Sequence, residues 1–310
     1  LRALSFHKKG ANMANPSRRT FLTAAAATPI VAGLTPHQTQ AYGLHADAKP
    51  KFHCGLVTYN VAKDWDLKTI LDVCKKAGIP GVELRTTHKH GVEPSLSADQ
   101  RMVVKGKFAD SGIQFFSCGS ACEFQSEDPA KVKKNIEETK QFLGLVKDLG
   151  GHGVKVRPNG IAKGYTVDRA CHQIGQALIE CGKAAEDLGL EIFVEVHGGT
   201  TQIPKNMKKI MDACGHKAVG VCWNSNPTDV VKGSIAESFD LLAPHIKSCH
   251  INELYKDETG KYPYRELFHK LASIGFDRYT FCEVGKSFDP AAGVEVLRYY
   301  KALWKELAGA

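Results

Sequence analysis

The sequence predicts an α/β protein built as a (β/α)8 TIM barrel. Three observations lead there. Eight short apolar runs recur about every 30 residues from residue 51 onward, and each is followed by a helix-length segment. Repeats of this kind build parallel sheets. The roughly 260 residues available suit one closed barrel better than an open doubly wound sheet. Finally, nearly every run turns polar at its C-terminal end, the end where such barrels carry their chemistry.

The elements follow in order. The strand-like runs are Phe52–Tyr59, Gly81–Arg85, Ile113–Cys118, Gly153–Arg157, Glu191–His197, Ala218–Trp223, Ile246–Ile251 and Tyr279–Val284. Ser97-Ala98-Asp99-Gln100 reads as a capping box that opens the second helix. Val132, Ile136, Phe142, Leu143, Val146 and Leu149 form the apolar face of the third. Val167, Ala170, Cys171, Ile174, Leu178 and Cys181 form that of the fourth, with Thr166 as its N-cap. Gly78, Gly112, Gly189 and Gly275 sit where helices should stop before the next strand.

Residues 1–48 are set apart as a leader and signal peptide, and the barrel is assigned to 49–310. Ser17-Arg18-Arg19-Thr20-Phe21-Leu22 is a twin-arginine pattern, followed by an alanine-rich apolar stretch from Thr23 to Leu34. Small-residue cleavage sites follow near Ala41 and Ala48, and Met13 is the expected start. This order of charged, apolar and small segments marks an export signal, so a periplasmic location is expected. The leader carries five basic residues against Asp47, which leaves +4 of the net charge of +8 for the rest. No long basic run follows residue 50, so a nucleic-acid partner is not expected. No later stretch approaches a membrane span. Five of the ten cysteines lie inside apolar strand runs, where cysteine acts as a small buried residue. The close pair Cys118 and Cys122 is likewise read as structural.

Alternation along the strands sharpens the site. Glu195 and His197 share one face of their strand, and Cys222 and Asn224 share one face of theirs. With His250 and Glu283, two carboxylates, an imidazole and an amide oxygen converge from four neighbouring strands. Such hard ligands suit Mn²⁺, Mg²⁺, Zn²⁺ or Co²⁺. Lys155 and Arg157 alternate onto one face and can meet a phosphate, a carboxylate or a sugar hydroxyl, or else pair with Glu123 or Glu195. His88 and His90, in the loop after the second strand, are either substrate contacts or surface residues. Asn226 and Asn252 join the substrate candidates, although Asn226-Pro227 also reads as a turn. Trp223 is read as packing before a sugar platform.

On these residues the chain resembles the xylose isomerase-like TIM barrel superfamily, the sugar-phosphate isomerase and epimerase type. The resemblance implies that strands 5 to 8 supply Glu, Asp, His and Glu to a divalent metal. Glu195, His250 and Glu283 match three of these positions, and His197 matches a substrate-contacting histidine. Asn224 stands where the family has Asp, and Pro227 where a histidine often follows. The metal is therefore expected to be held more loosely than usual. The activity implied is isomerisation or epimerisation of a sugar or related polyol through an enediolate. Glu195 and Glu283 would serve as catalytic proton carriers. A lyase acting on a keto sugar, and a sugar-binding barrel with weakened or lost catalysis, are the alternatives. The partner expected is a small carbohydrate, with no nucleic acid and no membrane beyond export.

Overall fold

A computed structural model describes residues 49–310; the expected export segment, residues 1–48, lies outside the described residues. Strands and helices alternate throughout: β1 (His53–Val57), α1 (Leu67–Ala77), β2 (Gly81–Arg85), α2 (Ala98–Ser111), β3 (Gln114–Glu123), α3 (Pro129–Leu149), β4 (Gly153–Arg157), α4 (Val167–Asp187), β5 (Glu191–Glu195), α5 (Pro204–Cys214), β6 (Val219–Asn224), α6 (Ala236–Leu242), β7 (Ile246–Ile251), α7 (Tyr264–Ser273), β8 (Tyr279–Cys282) and α8 (Pro290–Ala308). The strands close in chain order into a parallel barrel, with β1 paired to β8. This is the (β/α)8 TIM barrel that the repeating runs predict.

The helix signals act as their chemistry dictates. Ser97 accepts from the Gln100 backbone N–H, and the Gln100 side chain returns the bond to the Ser97 backbone, a complete capping box. The Thr166 side chain accepts from the Arg169 N–H at the start of α4. Gly78 and Gly112 close α1 and α2 at φ 70° and 72°, in the left-handed region that a Cβ disfavours. Strand ends differ from expectation in detail. β3 continues past Cys118 to Glu123, because its outer part still pairs with β4, Glu123 lying opposite Arg157. β5 stops at Glu195, and β8 at Cys282. The Glu283 N–H nonetheless still donates to the Ile251 carbonyl at 2.8 Å, which holds Glu283 in register.

Alternation splits the barrel into two apolar layers. Leu84, Cys118, Val194, Trp223, Cys249 and Cys282 face outward into the layer beneath the helices. Inward, Val57, Phe116, Phe193, Cys222, Tyr279 and Phe281 form a separate plug. Side chains are absent where the plug rings need the space: a Cβ on Gly55 would lie 2.5 Å from the Phe281 ring, and one on Gly81 2.5 Å from Tyr279. Each buried phenylalanine contributes about 1.5–3 kcal/mol of burial free energy. The plug also gives the polar groups above it a dry, rigid floor. Below it, Lys247 and Arg278 pair with Glu191 and close the N-terminal end. All ten cysteines are buried and unpaired, Cys118 and Cys122 included, as residues of an apolar filling should be. Trp223 is core: its indole N–H donates to the Tyr262 hydroxyl at 3.0 Å, and its ring packs on Phe239.

Candidate active site

One step of the pleat above the plug, the inner column changes from apolar to ionic. On β5, Phe193 is followed two residues on by Glu195; on β6, Cys222 by Asn224; on β7, Ser248 by His250; on β8, Phe281 by Glu283. Gly81 and Gly153 lead likewise to Glu83 on β2 and Lys155 on β4. Glu83, Lys155, Glu195, Asn224 and His250 are all buried. Only Glu283, at 13% side-chain exposure, opens toward solvent.

These groups interlock. Lys155 Nζ donates to Glu195 Oε2 at 2.7 Å, with both side chains buried. Asn224 Nδ2 donates to the other oxygen, Oε1, at 3.1 Å. Burial alone would raise the Glu195 pKa. The Lys155 and His250 charges and the His250 contact outweigh it and hold the carboxyl well below its usual range. Glu195 is therefore ionised and firmly anchored, and it is a weak base.

His250 is held from both sides. Its Nε2 lies 3.1 Å from Glu83 Oε1, while Ser117 Oγ donates to Glu83 Oε2 at 2.7 Å. Gly119 makes this possible, since a Cβ there would lie 2.9 Å from Glu83 Oε1. On the far side, His250 Nδ1 lies 3.3 Å from Glu283 Oε1 and 3.7 Å from Glu195 Oε1. A neutral imidazole carries one N–H. If Nε2–H serves Glu83, Nδ1 presents a lone pair to two carboxylates. Something electropositive must sit there, either a second proton or a cation. Burial opposes charging the ring, but Cys222, Glu283 and Glu83 together push its pKa well above the ordinary value.

The residues fit a divalent metal. Ligand atoms of Glu195, His250 and Glu283 lie within 4.8 Å of one another. His250 Nδ1 and Asn224 Oδ1 are both buried with no hydrogen-bond partner. Unpaired buried acceptors beside carboxylates are costly unless a cation meets them. The Glu83–His250 contact is the carboxylate–imidazole pairing that orients metal-ligating histidines. Sequence reasoning assigned Glu83 no role. The available signal was its position two residues before Arg85 on the same inward face.

The remaining candidates divide. His197 Nδ1 meets Asn159 Oδ1 at 3.0 Å, which leaves Nε2 uncommitted at the mouth. His88 lies 3.1 Å from Thr58 Oγ1 and stays neutral, since burial, His90 and Arg85 push its pKa down to about 4. Arg157 reaches the mouth, with Glu123 3.8 Å away. Lys155 is committed to Glu195. Both ring nitrogens of His90 are engaged, by the Arg85 carbonyl and the Val92 N–H. Asn226 Nδ2 donates to the Val196 and Asn224 carbonyls, and Asn252 Nδ2 to the Ser225 carbonyl. These three side chains stitch loops together beside the mouth.

Eight parallel strands with acidic, imidazole and amide groups gathered at their C-terminal ends define a barrel with its reactive face at that rim. Sequence comparison narrows the class: the chain belongs to the xylose isomerase-like TIM barrel family, whose profile matches residues 71–302. No curated protein matches the sequence significantly. Among solved structures, it is similar to 3-keto-D-glucoside 4-epimerase from E. coli, at TM-score 0.66 and 14% identity over 84% of this chain and 100% of that one. It is similar also to D-psicose 3-epimerase solved in the presence of D-fructose, at TM-score 0.68 and 15% identity over 84% of this chain and 100% of that one. The IolI protein with a bound zinc atom matches at TM-score 0.68 and 19% identity, over 83% of this chain and 98% of that one.

Proposed function

We propose that the protein is a divalent-metal-dependent isomerase or epimerase of a sugar or related polyol. The observation that carries this is the pair of partnerless buried acceptors, His250 Nδ1 and Asn224 Oδ1, set beside Glu195 and Glu283. Support comes from the family and from structural neighbours whose names are those of sugar epimerases. Glu195 Oε1, Asn224 Oδ1, His250 Nδ1 and Glu283 would hold the metal. When bound, it would polarise a substrate carbonyl and its neighbouring hydroxyl, so that the C–H between them becomes acidic.

The chain's own residues divide the rest of the work. Glu283, the one acid of the layer that meets solvent, takes the proton from the substrate carbon. Glu283 then returns the proton to the adjacent carbon in an isomerisation; in an epimerisation the proton reaches the opposite face through Glu195, which Lys155 otherwise keeps ionised as the anchor. His197 Nε2, at the mouth, donates to or accepts from a substrate hydroxyl. The aromatic floor excludes water and strengthens these interactions.

The test is exchange of solvent deuterium into a panel of ketoses, aldoses and their acids, run with Mn²⁺. Glu283→Gln should slow exchange by about 10²–10⁴-fold. Exchange at the wild-type rate in that variant would exclude Glu283 as the base. A second reading, a sugar-binding barrel with weakened catalysis, is favoured by Asn224 donating to Glu195 in place of a third carboxylate. It predicts binding with no exchange in the wild type.

A further inference from the structure

One pleat above the ionic layer, two arginines face the mouth from either side of β3. Arg85 lies two residues beyond Glu83 on β2, and Arg157 two residues beyond Lys155 on β4. The β3 residues between them on the inward face are Gly119 and Ala121, too small to separate them. We propose that Arg85 and Arg157 form a clamp for an oxyanionic group, a carboxylate or a phosphate, at the end of the substrate remote from the reacting carbons.

Four features support the clamp. The first is unspent donors. Arg85 uses only Nη1, on the Thr86 carbonyl at 2.7 Å and Thr87 Oγ1 at 3.2 Å. Among the described residues its Nε and Nη2 make no hydrogen bond. Arg157 uses only Nη2, on the Ala121 carbonyl at 3.5 Å, and its Nε is buried with no partner. A guanidinium is a planar fork suited to two oxygens of one anion.

The second is that, among the described residues, no acid makes a close ion pair with either arginine. The acids whose charge acts on Arg85 are Glu195, committed to Lys155 and Asn224, and Glu93, committed to Thr86 Oγ1 and the Thr87 N–H, both at 2.6 Å. Glu123 is bound by Asn159 Nδ2 and lies 3.8 Å from Arg157, with both side chains partly exposed. Such a pair contributes little. Third, the two cations oppose each other: burial, then the charge of Arg157, pushes the Arg85 pKa down. Like charges held together at a cost are a mark of a binding site.

Fourth, the backbone after each arginine is held in a conformation that side chains disfavour. Thr87 has φ 64° and Asn159 φ 55°, each two residues past its arginine. Thr87 Oγ1 accepts from Arg85, and Asn159 bridges Glu123 and His197. These contacts stiffen the clamp before anything binds.

Spacing sets the ligand. Two strand residues advance roughly 7 Å, so an anion between the arginines stands about that far above the layer of Glu195, His250 and Glu283. A sugar acid or a sugar phosphate spans that gap, with its polar chain beside His197. The clamp itself requires no catalysis; only the identity of the remainder of the ligand rests on the sugar-isomerase reading.

The test is calorimetric titration of the full barrel with D-glucuronate, D-glucose 6-phosphate and D-glucose, with Mn²⁺ held constant. Either anionic sugar should bind at least about tenfold tighter than glucose, and the tighter of the two identifies carboxylate or phosphate. Arg85→Met and Arg157→Met should each remove most of that preference. Arg157→Lys, which keeps the charge and the fold but not the fork, should retain only part of it. An equal affinity for all three sugars, or a preference that survives both methionine variants, overturns the clamp. The deuterium-exchange assay on the wild type, run beside these titrations, separates the two readings. Anion preference without wild-type deuterium exchange would remove the isomerase and leave the clamp standing.

Discussion

Asn224→Asp acts on two quantities in opposite directions. The amide now donates to Glu195 Oε1 at 3.1 Å. A carboxylate in its place would set two like charges at that separation in a buried layer. At an effective dielectric of about 20 the repulsion is about 5 kcal/mol. The full cost would be smaller, because such a pair relieves itself by sharing a proton. The metal-free variant should therefore unfold at a lower urea concentration than the wild type. With a dication present, the added carboxylate replaces a neutral amide oxygen, and binding should tighten by at least about tenfold, or 1.4 kcal/mol. Calorimetric titration with Mn²⁺ measures the second effect. Urea unfolding with and without Mn²⁺ measures both, since ligand binding to the native state adds to its stability. The gap between the two midpoints should widen in the variant. An unchanged Mn²⁺ affinity would refute the assignment of Asn224 to a cation site. Loss of stability alone would then mark it as a partner of Glu195 and nothing more.

Two further outcomes follow from buried carboxyl groups. Glu83→Gln keeps an acceptor for His250 Nε2 but removes the charge, and should weaken Mn²⁺ binding by about 10–100-fold in the same titration; an unaltered affinity would show that Glu83 does not orient the ligand. Asp229 receives the Asn226 N–H and the Tyr262 hydroxyl, each at 2.9 Å, yet burial outweighs both and pushes its carboxyl up to about 7 from the ordinary 3.8. The native state therefore keeps this proton to about pH 7, while the unfolded chain releases it near 3.8. The Asp229 contribution to stability should fall as pH rises through that window, by at most about 4 kcal/mol. Asp229→Asn should flatten the difference in unfolding free energy between pH 4.5 and 7.5, and an identical slope in the variant would contradict the burial argument.

The amino-acid sequence by itself determined the barrel and its ionic rim. Eight apolar runs with eight helical periods admit few architectures, and strand alternation is a local property. It therefore placed Glu195, Asn224 and His250 on the inner face together, and put Cys249 and Cys282 behind them. The capping box at Ser97 and the glycine stops were legible for the same reason: their hydrogen bonds close within a few residues. What each inner side chain does with its neighbour was decided only by the tertiary structure. Lys155 reads equally well as a substrate contact or an ion-pair partner until β4 is set beside β5, and then its ammonium lies 2.7 Å from Glu195. Glu83 and His250 are far apart in the chain, and their pairing depends on barrel closure and on the space left by Gly119. His90, Asn226 and Asn252 have the chemistry of ligand contacts, but loop packing commits their donors to backbone carbonyls, and the remaining ring nitrogen of His90 accepts from the Val92 N–H. Arg85 and Arg157 show the same division. Each stands at a polar strand end in the sequence, but only the closed barrel brings both to one mouth, where hydrogen bonding leaves part of each fork unused.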